Sequence, residues 1–273
     1  MNLKDIPRSV DLEIVSALIN YSVAICRVRD DNPNTFTPLG SGTFVIRNGL
    51  YGVLTAYHCL HACAPEVSIG AQGKDKLLLM VTRSRCITLD PTVVREHTSA
   101  IPESDEFGPD LTFLEILSGP ELGWLKAIVS FWNLDQKHYD LARKLSGVGV
   151  LIVEAGFPQT EYHTRISRSV IYHELKYIVF VGALGDEDIS EREGWDYIKS
   201  NCQYRASEKL PETFKGVSGG GIWAVRLLLR NGDQWTIERD CLVGVAFYES
   251  KIVDNMKEVK GHFIRAIYET VWN

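Results

Sequence analysis

Gly216-Val217-Ser218-Gly219-Gly220-Gly221 sets a serine among glycines, and the apolar run Ile222-Trp223-Ala224-Val225 follows it at once. Glycines admit backbone angles that other residues resist, so the chain can turn sharply here and aim successive N–H groups at one point beside the Ser218 hydroxyl. Such donors suit the negative oxygen that forms when a hydroxyl attacks a carbonyl. The same residues suit a plain glycine-rich turn between two strands, because short motifs recur by chance. A serine hydroxyl is a weak nucleophile until a base takes its proton, so the rest of the chain must supply one.

Outward from this turn, the sequence is a series of short apolar runs broken by Gly, Pro, Asn and Asp. On the C-terminal side they are 222–229, 234–238 and 242–247, with Arg230-Asn231-Gly232-Asp233 as a hairpin turn. Before the serine come 148–154, 168–172 and 177–182. The first half holds 21–28, 42–46, 51–55, 77–81 and 111–116, with Arg47-Asn48-Gly49 as a second hairpin signal. Helical spacing marks the two ends: Val10, Ile14, Val15 and Leu18 within 9–19, and Phe263, Ile264, Ile267 and Val271 within 262–271. Residues 119–145 carry apolar patches without a clear period, and the acidic run from Asp186 to Asp196 reads as a solvated loop or short helix. The chain is therefore expected to be all-β, an antiparallel barrel or sandwich. Its divisions are a helical extension (1–20), a first β-rich unit (21–120), a connection (121–145), a second β-rich unit (146–260) and a C-terminal helix (261–273).

With 45% hydrophobic and 23% charged residues, a chain of 273 can bury a full core and needs no staples. A net charge of −6 and the lack of a basic stripe argue against nucleic acid or an anionic membrane as partner. No apolar run reaches the ~18 residues of a membrane span. Lys4 and Arg8 are followed by Asp11 and Glu13, which is not the form of a secretory signal, so the six cysteines are expected to be reduced thiols and the protein cytoplasmic. No cofactor is expected.

Two residues could serve Ser218. His58, in Leu54-Thr55-Ala56-Tyr57-His58-Cys59, ends a buried-looking strand where the chain turns into a loop, a placement that is rigid yet exposed. Asp110 precedes the alternating strand Leu111-Thr112-Phe113-Leu114-Glu115-Ile116, where its carboxylate can accept the second ring proton of a histidine. Alone, each has an ordinary explanation as a turn or strand-capping residue. The segment His58-Cys59-Leu60-His61-Ala62-Cys63 also offers four zinc-ligand types. On a helix, however, Cys59 and Cys63 share one face and His58 and His61 another, so four ligands could hardly converge; no metal is expected, and a zinc-binding protein using this cluster stands as a lesser alternative.

Taken together, the order His58, Asp110, Ser218 and the local motifs resemble the chymotrypsin-like (trypsin-like) serine peptidase family. The resemblance runs over roughly 21–270. Its motifs are Ser41-Gly42-Thr43-Phe44-Val45, Thr55-Ala56-Tyr57-His58-Cys59, Asp110-Leu111-Thr112-Phe113-Leu114, Ala155-Gly156-Phe157-Pro158, Gly216-Val217-Ser218-Gly219-Gly220 and Leu242-Val243-Gly244-Val245. It implies two antiparallel six-stranded Greek-key β-barrels, with short N- and C-terminal helices added and the active site between the barrels. It implies Ser218 as nucleophile, His58 as general base, Asp110 as its orienter, and the N–H groups of Gly216 and Ser218 as the oxyanion hole. A primary pocket formed by Glu212, Thr213, Phe247 and Glu249 follows from the same resemblance, with Glu212 six residues before the serine. An acidic floor there would favour Lys or Arg in a protein or peptide substrate.

The departures are informative. The usual cysteine partner of Cys59 is replaced by Gly40, and Val217 stands where family zymogens carry an activating Asp, with no Ile-Val-Gly-Gly sequence present. These features resemble intracellular bacterial trypsin-like peptidases, some tied to antiphage (antiviral) defence, and imply control by a regulatory protein partner. A catalytically silent binding module on the same scaffold is the competing expectation, since fold does not imply activity.

Overall fold

The computed structural model describes residues 7–29, 32–61, 76–82, 85–98, 108–136, 150–159, 162–167, 170–175, 177–183, 189–203, 215–230, 234–250 and 256–272. Helix α1 (Arg8–Leu18) opens them, and its buried Val10, Ile14 and Leu18 recur every four residues on one face. That face packs on the second of two antiparallel sheets. Burial of Ile14 and Leu18 contributes about 1.5–3 kcal/mol each.

The first sheet is built from β1 (Ser22–Arg29), β2 (Asn32–Arg47), β3 (Leu50–Thr55), β4 (Lys76–Thr82), β5 (Arg85–Leu89), β6 (Val94–Thr98) and β7 (Thr112–Ile116), in the order β5-β4-β1-β2-β3-β7-β6. The expected hairpin at Asn48-Gly49 joins β2 to β3, and both residues take positive φ (51° and 77°), as a tight strand connection of this hand requires. Helix α2 (Tyr57–His61) follows β3 directly, where the sequence suggested a loop. After β7, Pro120 does not break the chain but starts helix α3 (Pro120–Ile128), where its missing N–H costs nothing. The short β8 (Trp132–Asn133) then pairs parallel to β2.

β9 (Val150–Gly156) enters the second sheet. β10 (Tyr162–Ser167) and β11 (Val170–Leu175) form a separate hairpin. β12 (Ile178–Ala183), β13 (Ile189–Arg192), β14 (Trp195–Gln203), β15 (Gly221–Arg230), β16 (Gln234–Glu249) and β17 (Met256–His262) complete the sheet, in the order β12-β9-β15-β16-β17-β14-β13. β12 also pairs with β14, so this sheet curls back on itself. Helix α4 (Ile264–Tyr268) and a 3₁₀ turn at Thr270–Trp272 end the description.

The outcome is all-β, as expected, with two antiparallel sheets, and the ordered path through each runs over seven described strands. From Ile189 onward the acidic run is corrected: Ile189–Arg192 and Trp195–Gln203 are paired strands with Glu193-Gly194 as their turn, not a loop or short helix, while Asp186, Glu187 and Asp188 lie outside the described residues. The C-terminal helix begins at Ile264, and His262 belongs to β17. One continuous apolar core draws on both sheets, with Val45, Leu54, Leu111 and Phe113 from the first beside Trp223, Val225, Leu242 and Val245 from the second.

Candidate active site

Ser218 lies in a turn at 215–219 that leads through Gly220 into β15. Gly216 (φ 97°) and Gly219 (φ 85°) both occupy left-handed backbone. A Cβ on Gly216 would stand 2.7 Å from both Gln159 N and Phe157 O, and one on Gly219 would overlap Ser41 O and Thr55 Oγ1. Gly219 thus lets the turn press against the first sheet, and Gly216 lets it press against the chain that follows β9. Gly219 N–H donates to Ala246 O (2.7 Å) and Gly220 N–H to Val217 O (2.8 Å). Among the described residues, no hydrogen bond engages the N–H of Gly216 or Ser218.

β2 holds this turn from the other side. Ser41 N–H donates to Ser218 O (2.8 Å), and Ser41 Oγ donates to Gly216 O (2.6 Å) while accepting from Phe157 N–H (2.9 Å). Thr55 Oγ1 donates to Ser41 O (2.7 Å), which ties the end of β3 to the same point. Ser41 and Thr55 are both buried, so each bond is shielded from water.

His58 is carried by α2, one turn beyond β3, and Asp110 immediately precedes β7, which pairs with β3. This pairing brings the two together. His58 Nδ1 donates to Asp110 Oδ2, and the His58 main-chain N–H donates to Oδ1 (2.9 Å). A proton on Nδ1 leaves Nε2 able to accept one. The Asp110 side chain is 3% exposed and that of His58 29%, so the carboxylate is sealed while the ring reaches the surface. Burial opposes charge on the ring, but the Cys59 sulfur and the Asp110 carboxylate outweigh it and hold the His58 pKa above the ordinary imidazole range.

Cys59 links histidine to serine. Its Sγ donates to Ser218 O (3.1 Å) and lies 3.8 Å from His58 Nε2. The sulfur fills the space over Gly40, where a Cβ would overlap it. His58, Asp110 and the Ser218 turn are therefore gathered at one junction of the two sheets. No hydrogen bond among the described residues joins the Ser218 hydroxyl to the His58 ring.

Phe247 is buried against Ala56 and Cys59, with its ring 4.9 Å from that of His262, and Glu249 sits half-buried near the end of β16. Glu212 and Thr213 lie outside the described residues. The zinc-type segment divides: His58 faces Asp110, whereas His61 Nε2 pairs with Glu96 Oε1 (2.8 Å), and Cys63 lies outside the described residues. Among the described residues no three His, Cys, Asp or Glu side chains converge as a metal site. Cys26, Cys59, Cys86 and Cys241 are free thiols. No described helix is long and apolar enough to cross a membrane.

One residue at the site escaped the sequence reading. His262 Nε2 accepts the main-chain N–H of Asp110 (2.8 Å). The pattern of 262–271 assigned this histidine to a helix, and nothing local marks it as a neighbour of Asp110.

No protein-family model matches the chain, and no curated protein matches it. A solved structure described as "Aromatic interactions drive the coupled folding and binding of the intrinsically disordered Sesbania mosaic virus VPg protein" is similar over 92% of this chain and 88% of its own, with TM-score 0.41 and 12% identity. A likeness that distant bears on neither fold nor activity here.

Proposed function

We propose that this protein is a serine endopeptidase whose two sheets are divergent chymotrypsin-like barrels, and that it cleaves protein or peptide substrates through an acyl-enzyme. The observation that carries the reading is the bond from His58 Nδ1 to Asp110 at the junction where Cys59 touches the carbonyl of Ser218. With Nδ1 protonated and held, His58 Nε2 takes the Ser218 proton as Oγ bonds to the substrate carbonyl carbon. The N–H groups of Gly216 and Ser218 receive the resulting oxyanion. His58 then returns the proton to the leaving amine, and water repeats the sequence to release the acid and regenerate Ser218.

The specificity, regulation and setting of the enzyme belong to the same proposal. Acidic Glu212 and Glu249 would favour Lys or Arg before the scissile bond, with Thr213 and Phe247 shaping the pocket. A protein partner would bring the Ser218 hydroxyl onto His58 Nε2. Free thiols at four described cysteines suit a reducing, cytoplasmic setting, and a role in bacterial antiviral defence rests on the resemblance alone.

Covalent labelling by a fluorophosphonate tests the chemistry without a known substrate. Wild type should be labelled at Ser218, and Ser218→Ala and His58→Ala should each lose essentially all labelling, because the residues act as one unit. Undiminished labelling of Ser218→Ala, or none of the wild type with any cellular extract added, would leave the silent-scaffold reading in its place.

A further inference from the structure

His262 is fully buried at the end of β17, yet the only hydrogen-bonding partner of its ring among the described residues, the Asp110 main-chain N–H, lies just before β7 of the other sheet. Its ring lies 5.2 Å from that of Trp195, 5.3 Å from Tyr197 and 4.9 Å from Phe247, with interplanar angles of 60°, 37° and 35°. Three aromatic groups therefore cage it. Because Nε2 accepts an N–H, the ring proton must sit on Nδ1, and Nδ1 is buried with no hydrogen-bonding partner among the described residues.

A cation in this cage would be doubly unfavourable. It would lose water without gaining an ion-pair partner, and Nε2–H would face the Asp110 N–H donor head on. Burial accordingly pushes the His262 pKa down to about 3, against the opposing pull of the Asp110 charge. The titratable groups that face the ring are Asp110, just before β7, and Tyr197 of β14, next to which stands Asp196. Asp196 is committed to the main-chain N–H groups of Arg265 (2.8 Å) and Ala266 (2.6 Å).

We propose that His262 is the positioning residue of the site: as a neutral acceptor from β17 it fixes the main chain of Asp110, and thereby the direction in which that carboxylate meets His58. The carboxylate is already divided between two donors, Oδ1 to the His58 main chain and Oδ2 to its ring, so a small rotation of Asp110 would spoil both. Gly108 completes the fit, since a Cβ there would stand 3.1 Å from Cε1 and Nε2 of His262. Part of this proposal, the consequence for rate, rests on the peptidase reading. The bond and its effect on the His58 ring do not, and they can be observed without turnover.

The test is histidine ¹⁵N NMR of the full chain, alongside fluorophosphonate labelling. In wild type, His262 should remain neutral with its proton on Nδ1 between pH 5 and 8, and Nε2 should couple through the hydrogen bond to the Asp110 amide. A proton on Nε2, or a positively charged His262 in that range, overturns the proposal before any variant is made. His262→Leu should remove the acceptor, move the His58 titration to lower pH and slow labelling on the order of 10- to 100-fold. His262→Gln, whose carbonyl reaches about as far as Nε2, should restore most of both. Unchanged His58 titration in folded His262→Leu defeats the positioning role while leaving the peptidase reading intact. Unlabelled wild type with the expected NMR pattern does the reverse.

Discussion

At Cys59 the chain has placed a sulfur where it touches both halves of the proposed chemistry, and its proximity is the first influence raising the His58 pKa, ahead of the ring's bond to Asp110. A raised pKa means that the neutral, base-competent ring appears only as pH climbs through the raised value. The rate of fluorophosphonate labelling should therefore rise at a pH above the ~6.5 of ordinary imidazole. The stabilisation from the charged ring runs the opposite way: it is fully present below the unfolded value of ~6.5 and lost as pH rises through the folded one. Cys59→Ala should shift the labelling curve to lower pH. A wild-type curve centred near 6.5, or one that Cys59→Ala does not move, would remove the sulfur from this role. The placement of Ser218 in a glycine turn and of Asp110 just before an alternating strand was legible in the sequence. His262 was not, because its meaning lies in a cage assembled from β14 and β16.

Among the elements, the turn at 215–219 is the one whose shape depends most on residue type. Gly219 is held between Ser41 O, Thr55 Oγ1 and Ala56 N while in left-handed backbone, so Gly219→Ala combines a steric overlap with an unfavourable φ. Denaturant unfolding should show a loss of at least ~2 kcal/mol, and labelling at Ser218 should collapse even in the folded fraction. Wild-type stability in this variant would mean that the turn is not packed as described. The Asn48-Gly49 hairpin was readable for the same physical reason that Gly219 is irreplaceable: left-handed backbone leaves a compositional mark. Strands at the margins leave less of one. β5, Arg-Cys-Ile-Thr-Leu, and β13, Ile-Ser-Glu-Arg, are mostly exposed, so neither shows the apolar alternation that a half-buried strand would. β16 was read as two runs because Arg239 and Asp240 interrupt its apolar pattern, although its pairing with β15 continues through a bulge.

For the molecule as a whole, the decisive contacts cross between the sheets. Ser41 is the smallest of them, with one hydroxyl satisfying Gly216 O and Phe157 N–H at once. Ser41→Ala leaves both buried groups without that partner and should cost about 2–4 kcal/mol. Because the turn loses an anchor, labelling at Ser218 should fall further than the change in folded fraction explains. Thermal unfolding paired with labelling on the same samples separates the two effects, and a fall in labelling that merely tracks unfolding would confine Ser41 to stability. A two-sheet, all-β plan was visible in the spacing of apolar runs. The number of strands and the partners across the junction were not, since both depend on residues far apart in sequence.

That distance has a consequence in time. Ser41 and Gly216 are separated by 175 positions, Asp110 and His262 by 152, and Arg47 reaches the carbonyl of Tyr268 across 221. Contacts of such long range form slowly, because each must wait for a large loop to close. On a ribosome, His262, the proposed support of Asp110, is made 44 positions after Ser218. A nascent chain thus carries His58, Asp110 and Ser218 before the proposed support of Asp110 exists, so on the proposed reading it has no complete centre with which to cut itself or its neighbours.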